Sequence, residues 1–93
     1  MILEVAILPV QLERQAAFER SFAQAERILI GMKGYIGHEL KKGIERKDQY
    51  ILLVRWQSLE DHEVGFRKSK EYQEWKRLLH HFYNPFPEVL HYH

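Results

Sequence analysis

A chain of 93 residues with 14 Lys and Arg against 13 Asp and Glu, a net charge of +1, reads as one domain over 1–93. At this size a single core buries only about 60 to 65% of the unfolded surface. The two signs of charge are interspersed, so nothing supplies the general attraction to phosphate that nucleic-acid binding needs, and no nucleic-acid partner is expected. The absence of cysteine excludes disulfides, thiolate zinc sites and a cysteine nucleophile. No apolar run approaches the roughly 20 residues of a membrane span, and the apolar start lacks a basic leader, so no membrane association and a cytoplasmic location are expected.

Ile2 to Leu8 is almost continuously apolar, broken by Glu4, as in a central strand covered on both faces. From Leu12 to Ile30 there is no Pro or Gly. Phe18, Phe22, Ala25 and Leu29 share one helical face, and Gly31 ends the helix. Gly34 to Ile44 alternates, with Ile36, His38, Leu40 and Lys42 on one side and Tyr35, Gly37, Glu39 and Lys41 on the other. A charged tip from Glu45 to Asp48 leads into Tyr50 to Trp56, which completes a long hairpin.

Ser58 and Asp61 have capping-box spacing, so a short helix opens at Leu59. Ser69 opens a longer one that runs to about Phe82, where Asn84, Pro85 and Pro87 close it. Val89 to Tyr92 is a last strand. The order is that of an α+β, ferredoxin-like βαββαβ subunit, with both helices on one face of a four-stranded antiparallel sheet. Tyr50 to Val54 is apolar on both sides. The second sheet face therefore also needs cover, which a homodimer of stacked sheets would supply.

Five of the six histidines and both tryptophans lie between Trp56 and His93. This is where a small-molecule pocket is expected, since rings provide apolar surface with polar handles and imidazole titrates near neutral pH. Helical phase puts Leu59, His62 and Phe66 toward the sheet. His62 is then a satisfied core residue or a general base in a pocket between helix and sheet. Tyr72, Trp75, Leu78, Leu79 and Phe82 form one stripe, with His80 and His81 flanking it in the last turn, where helix capping is the simpler role.

His91 and His93 share a strand face, but two ligands at the chain end make a solvated terminus the simpler reading, and no metal is expected. Glu4 in a buried strand needs a partner, for which Arg55 is the candidate. Strands two and four should lie at opposite sheet edges. In a dimer, His38 would then sit beside the partner's last strand, near His91.

The pattern resembles the antibiotic biosynthesis monooxygenase family over essentially the whole chain. The resemblance is carried by ILEVAILPV, QAAFERSFAQA, GYIGHEL, the LLVRWQSLEDH junction, YQEWKRLL and the tail HHFYNPFPEVLHYH. It implies a ferredoxin-like subunit that dimerises into an α+β barrel, with a pocket between sheet and helices. It further implies oxidation of a small aromatic or quinol-like molecule by oxygen with no cofactor, metal or flavin. In the family's cofactor-free motif an Asn precedes a Trp by four positions and a polar ring group follows six later. Trp56 and His62 fit the last two places, and Leu52 stands at the first. A haem-degrading branch uses an Asn, a Trp and a His where Val5, Gly65 and Lys76 stand, so haem degradation is not expected.

The expected site is thus His62 and Trp56 as catalytic residues, with Phe66 and Trp75 binding substrate. His62 would accept a phenolic proton while Trp56 packs on the ring. An isomerase or decarboxylase using the same base, and a non-catalytic dimeric module that binds a small hydrophobic molecule, are the competing readings.

Overall fold

The computed structural model describes all 93 residues. In chain order they form β1 (Ile2–Pro9), a 3₁₀ turn (Leu12–Arg14), α1 (Gln15–Ile30), β2 (Tyr35–Lys42), β3 (Gln49–Trp56), a π-helical segment (Asp61–Phe66), α2 (Lys70–Leu79), a second 3₁₀ turn (His80–Phe82) and β4 (Val89–Tyr92). The strands make one antiparallel sheet in the order β2-β3-β1-β4, which puts β2 and β4 at the edges as the sequence implies. The fold is α+β and ferredoxin-like. No helix is long and apolar enough to cross a membrane.

Strand alternation sorts the side chains. Glu4, Ala6 and Leu8 of β1 and Tyr50, Leu52, Val54 and Trp56 of β3 face the helices and are buried. Against them pack Phe18, Phe22, Ala25 and Leu29 of α1 and Trp75 and Leu79 of α2, in one core of 15 apolar residues. The other face carries Leu3, Val5 and Ile7 opposite Arg55, Leu53 and Ile51. Its outer members Ile7, Leu90 and Tyr92 are exposed in the single chain.

The helix starts follow the cap chemistry. Ser69 Oγ accepts from Tyr72 N at 3.1 Å, and Ser58 Oγ accepts from Asp61 N at 3.1 Å. Gly34 allows the close passage of the β2 entrance: it has φ +84°, and an added Cβ would collide with the Asp61 carboxylate.

Three local expectations change. The helix opening at Ser58 passes into a π turn, with Arg67 N bonded to His62 O at 3.0 Å. The wider turn holds one more residue per hydrogen-bonded ring, so His62 and Phe66 still point inward while Leu59 leaves that face and is 42% exposed. In β2 a bulge between Tyr35 and Gly37 shifts the alternation. Tyr35, not Ile36, then sits beside His38, its hydroxyl 2.5 Å from His38 Nδ1. His38 Nε2 lies 2.9 Å from Glu26 of α1, so both ring nitrogens meet groups of their own subunit. Finally, Arg55 does not meet Glu4: it stands opposite Leu3 and points to the other sheet face, where Glu39 is 3.4 Å away.

Candidate active site

Between α2, the π segment and the sheet lies a cavity of about 380 Å³. Its floor is Ala6, Leu8 and Leu52 from the central strands. Phe66 and Trp75 form apolar walls, and Tyr83, Phe86 and Pro87 close the far side. The helix-facing residue of β4, Val89, completes the apolar lining. Ala6 opens the floor of the cavity, being small where its cross-strand neighbours Leu52 and Val89 are larger.

The polar groups gather at one end. Glu4 and His62 line the cavity and are 7% and 3% exposed. Glu4 Oε1 accepts from Trp56 Nε1 at 2.9 Å and lies 3.3 Å from His62 Nε2. His62 Nδ1 lies 2.8 Å from His91 Nε2, so one ring donates and the other accepts. His91 Nδ1 is 3.7 Å from Glu63 Oε1. The strand register explains the meeting, since β1 pairs Glu4 directly with His91 of β4 and with Val54, whose neighbour two residues on is Trp56.

Burial governs the charge state. It raises the Glu4 carboxyl above its usual value, against the Trp56 hydrogen bond and the Arg67 guanidinium, which pull the other way. It pushes His62 down to about 3, helped by Arg67 and His91. The Glu4–His62 distance alone would read as an ion pair. Both groups are driven toward their neutral forms instead, which makes the contact an acid–base pair able to share a proton. Arg67 lines the same cavity and has no carboxylate within ion-pair distance, so its charge is free to act on a bound anion. Tyr72 adds a hydroxyl to the wall, its pKa raised by burial and by Glu4 against Arg67.

The structure brings His62, Phe66 and Trp75 together in the cavity wall, as the spacing implies. Trp56 lies elsewhere. It is fully buried behind His62, with ring centroids 5.3 Å apart and planes inclined by 20°, and does not line the cavity. Its place in the site is to anchor Glu4 and back His62. His80 lines the cavity edge-on to Phe86 at 4.9 Å, and no side-chain cap bond forms at the end of α2. His81 is exposed, its carbonyl accepting from Arg14 at 2.9 Å. His91 and His93 part company, with His91 on His62 and His93 beside Leu3, Arg55 and Tyr92 at the sheet end. Leu52, at the motif's Asn place, is buried in the cavity floor.

Glu4, His91 and Arg67 escape residue-by-residue reading. The one available signal was the lone carboxylate in an apolar strand.

This fold belongs to a known class: the chain is a member of the antibiotic biosynthesis monooxygenase family, whose sequence profile matches residues 1–78. Among its relatives, the uncharacterized protein YczJ of Bacillus subtilis is 53% identical over 92 residues, 99% of this chain and 97% of its own length. An antibiotic biosynthesis monooxygenase-type protein of Bordetella bronchiseptica superposes with a TM-score of 0.93 at 36% identity, over 99% of this chain and 94% of that one. SnoaB of Streptomyces nogalater, a cofactor-independent oxygenase, matches with a TM-score of 0.70 at 17% identity over 98% and 87%, a likeness of fold.

Proposed function

We propose that the protein is a cofactor-independent monooxygenase acting on a small aromatic or quinol-like molecule. The observation that carries this reading is the Glu4–His62 acid–base pair, set in the wall of a cavity lined mainly by rings and aliphatic side chains with Arg67 among them. The family and the oxygenase fold of SnoaB support it.

A phenolic ligand would stack among Phe66, Trp75 and Phe86, and the Glu4–His62 pair would take its hydroxyl proton. Arg67 would stabilise the resulting anion. Reaction of that electron-rich ring with oxygen converts a ring C–H to a carbonyl. One oxygen atom enters the product, and the other leaves as water with two hydrogens from the substrate. Trp56 acts from behind the pair. The apolar face of Leu3, Val5, Ile7 and Leu53 is best covered by a second copy, in a homodimeric barrel.

Oxygen uptake with a panel of quinols and naphthols tests the reading. Turnover by the wild type, lost in both His62→Ala and the more conservative His62→Gln, is expected. Equal rates in wild type and variants would remove His62 from the chemistry, and turnover without oxygen would point to an isomerase or decarboxylase. A non-catalytic binding module is favoured by Leu52, which puts an aliphatic side chain where the family's motif has an amide. Tight naphthol binding with no oxygen uptake is its signature.

A further inference from the structure

Four titratable groups run in line from the cavity to the surface. Glu4 Oε1 to His62 Nε2 is 3.3 Å, His62 Nδ1 to His91 Nε2 is 2.8 Å, and His91 Nδ1 to Glu63 Oε1 is 3.7 Å. Each imidazole is entered through one nitrogen and left through the other, the connectivity that proton hand-over requires. Side-chain exposure is 10% and 4% for Glu4 and His62, then 16% for His91 and 45% for Glu63. The line therefore leads outward, from a dry end at β1 to solvent at the π segment.

We propose that Glu4 is the group that meets the substrate's acidic proton, and that His62, His91 and Glu63 relay this proton to solvent and return it. The proposal rests on the reading of the cavity as a phenol site and assigns the direct contact within it. Both nitrogens of His62 are engaged by protein groups, which leaves neither free to face a ligand. Glu4 lines the cavity, and its second oxygen, Oε2, has no protein partner.

The protons balance step by step. The substrate O–H bond breaks as an O–H bond forms at Glu4 Oε2, while the proton that the neutral carboxyl already holds on Oε1 passes to His62 Nε2, so Glu4 stays neutral throughout. His62 releases its Nδ1 proton to His91 Nε2, and His91 releases its Nδ1 proton to Glu63. Each ring ends as its other neutral tautomer, so buried His62 never holds a lasting charge. Reverse passage restores both tautomers and supplies a proton to the oxygen that leaves as water. Of the three links only His62–His91 is a hydrogen bond at rest; the 3.3 Å contact of Glu4 with His62 closes as the carboxyl turns, and the exposed Glu63 closes the last gap by rotation or through a water. The other charged or titratable groups facing the line are Arg67, next to the π segment, Tyr72 of α2 and Tyr83 beyond its end.

Nitrogen-15 NMR of the histidine rings tests the relay whether or not an oxidisable phenol is found. At pH 7 the wild type should show His62 and His91 neutral and coupled through their shared proton. Glu63→Gln, an exposed change that leaves the core untouched, should alter the tautomer balance of His62 as well as His91. Glu4→Gln, which keeps an acceptor for Trp56, should alter both from the other end. Rings that respond singly, or a His62 blind to Glu63→Gln, would overturn the relay.

With a turned-over phenol, Glu4→Gln should lower kcat about 100-fold or more. His91→Gln should lower kcat with KM unchanged and recover on addition of imidazole. A loss in His91→Gln that imidazole does not restore would count against it. Absence of any oxygen uptake would sink the oxygenase reading alone, because the NMR result stands apart from turnover.

Discussion

Trp56 and Glu4, 52 residues apart in sequence, are joined by a 2.9 Å hydrogen bond from indole to carboxylate inside the core. The bond is the only one that Glu4 receives with good geometry, and it opposes the burial that raises its pKa. Trp56→Phe would keep most of the packing and leave a buried carboxyl without its donor. The expected cost is about 1 to 3 kcal/mol, read as a lower urea midpoint by circular dichroism, with the Glu4 pKa moving further up. An unchanged midpoint would mean that the bond contributes nothing net.

Acid should destabilise the fold. His62 titrates near 6.5 when unfolded and at about 3 when folded. Its contribution is therefore complete above pH 6.5 and declines as pH falls toward 3, with a slope of at most about 1.4 kcal/mol per pH unit for one proton. His80 and His91 are lowered by burial and act with the same sign. Glu4, raised by burial, acts oppositely, its contribution being complete below 4.5 and lost as pH rises through its folded value. Urea midpoints should thus be lower at pH 5 than at pH 7, and His62→Gln should narrow the gap. A wild-type midpoint that rises on acidification would contradict this.

Gly34→Ala should be severe for so small a change. The backbone there has φ +84°, which costs an L residue about 1 to 2 kcal/mol, and the new methyl would strike Asp61. Asp61 closes the Ser58 cap that launches the site segment. We expect a loss of at least about 2 kcal/mol and weaker ligand binding in the cavity. Wild-type thermal stability in the variant would show that the strand entrance can rearrange.

Light scattering at micromolar concentration should give the mass of a dimer. Ile7→Lys adds a charge at a side chain already 41% exposed in the single chain, opposite Ile51 on the open face. It should therefore cost the isolated subunit little and still split the dimer. A monomeric wild type, or a dimeric Ile7→Lys, would place the second copy elsewhere.

The order of elements was legible because it depends on short-range patterns. The apolar strand from Ile2, the Phe18, Phe22, Ala25 and Leu29 stripe, the Ser58 and Ser69 caps and the closing prolines each act within a few residues. Those periods also determined that His62, Phe66 and Trp75 face inward. What only the tertiary structure decided is who meets them there. Strand register brings Glu4 beside His91 and keeps it from Arg55, and the widened π turn lays His62 between Glu4 and His91. The same register hides Trp56 behind the site. A residue's own face follows from local periodicity. Its partner on another strand depends on a one-residue choice of register between segments far apart in sequence, which is settled by how the whole core packs.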